Sequence, residues 1–154
     1  MANINGTNKA DYLLGTSGND TITGHRGADW LEGAHGDDFI DVTDGNDTAR
    51  DTVAFRTGDG HDQVAGFTPG EDKIMIDTGS HTYSDVFDFG AGNGTLYDGE
   101  VLTNWTGTAH LFVSAVDPNN DGITDTRLTL DSGDYIDILG VAPDQIFNAD
   151  IMGG

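Results

Sequence analysis

Asp11, Asp20, Asp29, Asp38 and Asp47 recur every nine residues, each in a loop rich in glycine. Carboxylates at that interval, with glycine-exposed main-chain carbonyls beside them, form an oxygen-only donor set that selects Ca²⁺ over zinc or copper. The clearest phases are Gly15-Thr-Ser-Gly18-Asn-Asp20-Thr-Ile22-Thr, Gly24-His-Arg-Gly27-Ala-Asp29-Trp-Leu31-Glu and Gly33-Ala-His-Gly36-Asp-Asp38-Phe-Ile40-Asp. Positions one and four are Gly, position six is Asp and position eight is apolar.

A nine-residue unit cannot close a hydrophobic core alone. Each unit therefore reads as one turn plus one short strand, stacked so that neighbours bury each other's eighth residue. Two units make one coil, alternate units build two parallel sheets, and Leu13 and Leu31 face Ile22 and Ile40. The loops fall into two columns. Within a column each Asp lies beside the Asp two units on, and such like charges repel unless a cation lies between them. The expected neighbours are Asp11 with Asp29, Asp20 with Asp38, and Asp29 with Asp47. The pattern wears at its ends: Lys9 replaces the fourth-position Gly of the first unit, and the fifth begins with Val42 and carries Ala49 at the apolar position. Asp51-Thr-Val-Ala-Phe-Arg56 breaks the period, after which Thr57 to Val64 restores one copy containing Gly60 and Asp62.

The run resembles the RTX nonapeptide, G-G-x-G-x-D-x-U-x, a signature of Ca²⁺-binding parallel β-helices. The resemblance implies that position-six carboxylates and loop carbonyls hold several Ca²⁺ ions. Carried over by position, the carboxylates are Asp11, Asp20, Asp29, Asp38, Asp47 and Asp62. Asp72 joins them through Phe67-Thr-Pro-Gly-Glu-Asp72-Lys-Ile74, which is similar to the segment that follows such rolls. The main-chain donors lie at Gly15, Thr16 and Gly18, at Gly24, His25 and Gly27, at Gly33, Ala34 and Gly36, and at Gly45 and Gly60. The second consensus glycine is replaced throughout, by Thr7, Thr16, His25, Ala34 and Thr43. A carbonyl ligand does not require Gly there. The family likeness also implies a secreted, extracellular protein exported through a type I channel. It extends to the C-terminal regions of secreted proteases and to the R-modules of alginate epimerases.

Composition agrees, since 24 of the 27 acidic residues are Asp. Helical acidic surfaces would favour Glu, whereas Asp serves turns and short-armed ligation. A net charge of −21 over 154 residues opposes compaction unless cations neutralise it, so the metal-free N-terminal half is expected to be largely disordered. Arg26, Arg50, Arg56 and Arg127 are too sparse for a nucleic-acid surface. There is no cysteine, no stretch of the ~20 apolar residues that would make a transmembrane segment, and no cleavable leader in Met-Ala-Asn-Ile-Asn-Gly.

The expected fold is all-β, with a calcium-binding β-roll over 1–79 and an antiparallel cap over 80–154 that continues it. Strands are expected at Tyr83 to Phe89, Glu100 to Trp105, His110 to Val116, Thr124 to Leu130 and Tyr135 to Leu139, with a helical turn from Ala142. Tyr83, Phe87, Phe89, Trp105, Phe112 and Phe147 are the candidate core of the cap. Asp117-Pro-Asn119-Asn-Asp121-Gly122-Ile-Thr-Asp125 matches the first half of an EF-hand-type loop but has Leu128 in place of the bidentate Glu, and it reads as a plain turn. Catalysis finds no support: His-Glu-x-x-His and Gly-x-Ser-x-Gly are absent. Asp77-Thr-Gly79 copies an aspartic-protease tripeptide but sits where a roll ends. The functional expectation is a non-enzymatic module that folds on Ca²⁺ and supports secretion and stability, appended to a secreted protein. The alternative is a polysaccharide-binding module, specific for polyuronate, on a secreted polysaccharide-modifying enzyme.

Overall fold

Six of the eight strands of the N-terminal half begin on the residue that follows an Asp; those beginning at Asn3 and His61 do not. This computed structural model describes residues 1–43, 45, 48–78, 87–88, 96, 98–99, 101–104, 109–147 and 150–153. The strands are β1 (Asn3–Asn5), β2 (Tyr12–Leu14), β3 (Thr21–Thr23), β4 (Trp30–Glu32), β5 (Phe39–Asp41), β6 (Thr52–Arg56), β7 (His61–Ala65) and β8 (Lys73–Asp77). Odd strands pair in parallel in one sheet and even strands in the other. The register stacks the eighth residues into two apolar ladders. One runs Ile4, Ile22, Ile40 and Val64, and the other runs Leu13, Leu31, Val53 and Ile74. Apart from the half-buried Ile4, all of these are buried and interdigitate between the sheets.

Two expectations change here. Asp51 to Arg56 does not interrupt the stack but continues it as β6, with Val53 in the ladder place expected of Ala49. The spacing grows from nine residues to thirteen between Asp38 and Asp51, and the loop absorbs the four extra residues. The ladder selects a β-branched residue it can bury over the smaller Ala49, which is only half-buried.

The second half contributes β9 (Phe87–Asp88), β10 (Val101–Asn104), β11 (His110–Val116), β12 (Asp125–Leu130), β13 (Tyr135–Ile138) and β14 (Ile151–Gly153). Strands β9 to β13 form an antiparallel array, yet β13 also pairs in parallel with β7, placing Ile138 on Val64. Strand β14 pairs in parallel with β8, placing Ile151 on Ile74. Both sheets of the roll thus gain one more coil from the C-terminal half. A 3-10 turn over Pro143–Gln145, with Pro at its start, leads toward β14.

Among the described residues, the core of this half is built on Leu102, Leu111, Val113, Leu128, Ile136 and Ile138. Phe112 and Phe147 are 39% and 47% exposed, which corrects their expected burial. The reason is the two-residue period of a strand: with Leu111 and Val113 pointing inward, Phe112 must point out. Tyr83, Phe89 and Trp105 lie outside the described residues, as does the side chain of Phe87.

Candidate metal centre

The position-six carboxylates face both ways along their columns. Through Oδ1 each accepts the backbone N–H of the Asp one coil earlier: Asp29 from Asp11 at 2.8 Å, Asp38 from Asp20 at 2.7 Å and Asp62 from Asp38 at 3.0 Å. Asp51 accepts the Asp29 N–H at 2.8 Å, and Asp72 accepts the Asp51 N–H at 3.0 Å. Two columns result, Asp11–Asp29–Asp51–Asp72 and Asp20–Asp38–Asp62. The place beneath Asp29 expected of Asp47 therefore belongs to Asp51, and Asp47 itself lies outside the described residues. The signal that finds Asp51 is the triplet Asp-x-apolar, Asp51-Thr-Val53, which outranks the count of nine. Asp134-Tyr-Ile136, which leads into β13, repeats the triplet.

The other carboxylate oxygen divides the loops into two classes. In the first two loops the residue four before the Asp is Thr, and it closes on Oδ2. Thr7 donates its N–H and hydroxyl to Asp11 at 2.6 and 2.8 Å, and Thr16 does the same to Asp20 at 2.6 and 2.7 Å. The Ala2 N–H and the N-terminal ammonium, 3.7 Å away, also meet Asp20. In the next two loops that residue is His25 or Ala34, at φ 69° and 66°, the left-handed conformation the consensus glycine would take without strain. Their amides do not close the loop, and Oδ2 of Asp29, of Asp38 and of Asp62 is buried with no hydrogen-bond partner. Asp72 resembles the first class, taking the Thr68 N–H at 2.8 Å.

The glycines make this stacking possible. The Cα of Gly15 lies directly under the Gly33 carbonyl, where an added Cβ would overlap the oxygen and approach the carbon to 2.8 Å. Gly6 meets the Gly24 carbonyl in the same way. Lys9 is tolerated because no coil packs outside the first loop, whereas Gly27, at the same position one coil on, abuts the backbone of Lys9 and Ala10. His25 and His35 are exposed, and His35 Nδ1 lies 2.7 Å from the Gly58 carbonyl.

Burial sets the electrostatics. It pushes Asp62 up to about 8 and Asp38 up to about 6, and it raises Asp29 and Asp72 as well. The neighbouring carboxylates add to the rise in Asp62, Asp38 and Asp29. Asp59, which sequence reasoning missed, is buried beside Glu32 and rises to about 6. Asp20 falls to about 2, chiefly through the Thr16 hydroxyl bond. Beyond Asp72 the protein supplies its own cation, the Lys73 ammonium 3.0 Å from the buried Asp150 carboxylate.

These residues suit a hard divalent cation. Oxygens of buried carboxylates without partners sit in columns of like charge beside glycine-rich loops. No three His, Asp or Glu side chains among the described residues converge on one point, so main-chain carbonyls are needed to complete any shell. When bound, calcium supplies the positive charge that the facing carboxylates lack.

A sign follows for pH. Because the folded pKa values of Asp38 and Asp62 lie above the ordinary 3.8, the metal-free fold binds extra protons. Its stability therefore falls as pH rises from about 4 to about 8. In chelator the strand signal should therefore be larger at pH 5 than at pH 9, which circular dichroism measures, and equal signal at both would contradict the burial of these groups.

The model of the RTX calcium-binding nonapeptide repeat matches residues 5–40 and 14–49, with four copies. No curated protein matches the chain. Among solved structures, the AlgE6R3 subunit of the Azotobacter vinelandii mannuronan C5-epimerase aligns at 24% identity, covering 96% of this chain and 80% of that one. Its TM-score of 0.28 is too low to bear on fold or ligand. Residues 5–49, less than a third of the chain, thus carry RTX calcium-binding nonapeptide repeats.

Proposed function

We propose that this chain is a calcium-triggered folding module that stabilises and helps to export the secreted protein it belongs to, without chemistry of its own. The observation that carries the reading is the set of buried, partnerless Oδ2 atoms on Asp29, Asp38 and Asp62, set in columns of stacked carboxylates. With a net charge of −21, those columns are unfavourable without a cation, so binding free energy becomes folding free energy. The ligands are the carboxylates of Asp29, Asp38, Asp51 and Asp62, with Asp11, Asp20 and Asp72 toward the ends and main-chain carbonyls of the glycine-rich loops between them.

Extracellular calcium modules bind at roughly 10⁻⁴ to 10⁻³ M, a range that leaves such a chain unfolded in a cytosol and folded outside it. Among the described residues no helix is long and apolar enough to cross a membrane. The charge also repels a polyuronate, which makes the folding role better supported than sugar binding. Far-ultraviolet circular dichroism tests it: chelator should abolish most strand signal, and calcium in the stated range should restore it cooperatively. Unchanged strand content in chelator would defeat the proposal.

A further inference from the structure

We infer, on the calcium reading given above, that the residue four places before each column Asp decides whether its loop takes an ion, and that Thr7 and Thr16 withhold one. Asp11 and Asp20 then keep only Oδ1 for the ion of a neighbouring loop.

Each carboxylate oxygen carries two lone pairs. Asp11 Oδ2 accepts both the N–H and the hydroxyl of Thr7, at 2.6 and 2.8 Å, and Asp20 Oδ2 accepts the same two groups from Thr16, at 2.6 and 2.7 Å. Neither oxygen has a lone pair left for a cation. One coil on, Oδ2 of Asp29 and of Asp38 is buried and accepts nothing, and the same holds for Oδ2 of Asp62 in the coil after that. These three residues are at most 3% exposed, so bulk water does not stand in for the missing donors.

The divide follows one backbone angle. His25, Ala34 and Gly58 precede the three open carboxylates by four residues, and all lie in the left-handed region, at φ 69°, 66° and 95°. There the amide leaves the Asp alone: that of Gly58 donates instead to Asp134, at 2.8 Å. Thr7 and Thr16 stay out of that region. A β-branched residue is strained at positive φ and stiff at χ1, so threonine holds its loop in the form that closes on the carboxylate. Thr68, four residues before Asp72 at the far end of the Thr7 column, donates its N–H at 2.8 Å in the same way. Threonine thus stands at both ends of that column, with the open Asp29 loop between.

Charge points in the same direction. A buried carboxylate oxygen without a donor is unfavourable until a cation meets it, whereas one that already accepts two hydrogen bonds has to lose both to bind an ion. The closed loops therefore finish the columns without metal.

Equilibrium dialysis of the full chain against saturating calcium counts the ions, and circular dichroism of the same samples reports the fold. Thr7→Gly and Thr16→Gly remove the hydroxyl and admit the left-handed form that Gly58 adopts, and each should bind one ion more than wild type at wild-type strand signal. Ala34→Thr is the converse and should bind one ion fewer. Thr7 and Thr16 are exposed, so the glycine variants fold even if Ala34→Thr does not. Ion counts equal to wild type in both glycine variants would overturn the inference. Failure of the folding role reads out separately, as strand content that survives chelator, and raised counts in the glycine variants would still support the role of threonine in that case.

Discussion

Replacing Asp29 by Ala should raise the calcium concentration at the folding midpoint by about tenfold to a hundredfold. The substitution deletes the acceptor of the Asp11 N–H, 2.8 Å away, and removes one of the oxygens left for an ion. Leaving a buried donor unsatisfied costs about 1–3 kcal/mol, and each 1.4 kcal/mol is about a factor of ten. Asp98 is the control, because it accepts the Ala115 N–H at 2.9 Å on the exposed surface, where water can replace it. Asp98→Ala should move the midpoint by less than about twofold. Asp51→Ala should behave like Asp29→Ala, since Asp51 takes the Asp29 N–H in the next coil. Calcium titrations followed by circular dichroism measure all three, and equal shifts for Asp29 and Asp98 would refute the stacking register.

Gly15→Ala should be more damaging still. The new Cβ would overlap the Gly33 carbonyl oxygen, and both partners are main chain, so no side chain can swing aside. The adjoining coils have to part, which removes the bond from the Gly15 N–H to the Glu32 carbonyl, now 2.7 Å, and opens the ladder between Leu13 and Leu31. The expected loss exceeds about 4 kcal/mol, the range reserved for gross steric or packing failures. Gly18→Ala is the matched control, three residues away, with Met1 N at 3.7 Å as the nearest atom to its new Cβ. It should stay within about 1 kcal/mol of wild type. Urea unfolding in saturating calcium separates the two, and comparable stability would mean that the coils do not stack glycine on glycine.

Sequence and structure agree where the chain is most repetitive. From Asp11 to Ile40 the period is strict, and the positions of β2 to β5, their inward residues and their Asp neighbours all follow from it. The period failed where the stack tolerates insertions, because a column is fixed by the carboxylate-to-amide bond and the buried residue two places later. A longer loop between Asp38 and Asp51 changes neither. The parallel pairing of β13 with β7 and of β14 with β8 leaves no local trace. Tyr135 to Ile138 alternates as any half-buried strand does, and its partner lies more than seventy residues back.

The two loop classes were equally hidden. Thr16 and His25 fill the same consensus place, but only a residue that stays out of the left-handed region turns its amide and hydroxyl onto the carboxylate. The burial of Asp125 was hidden as well, because it depends on where Gly140 and β13 pack against it.

Hydrogen exchange at the amides of Asp11, Asp20 and Asp38 tests most directly whether cations hold the columns together. Each of these N–H groups donates to the carboxylate of the next coil. In calcium all three should exchange slowly, and in chelator they should exchange at the rate of an unfolded chain. Equal protection in both conditions would show that the stacked carboxylates stand without a divalent ion.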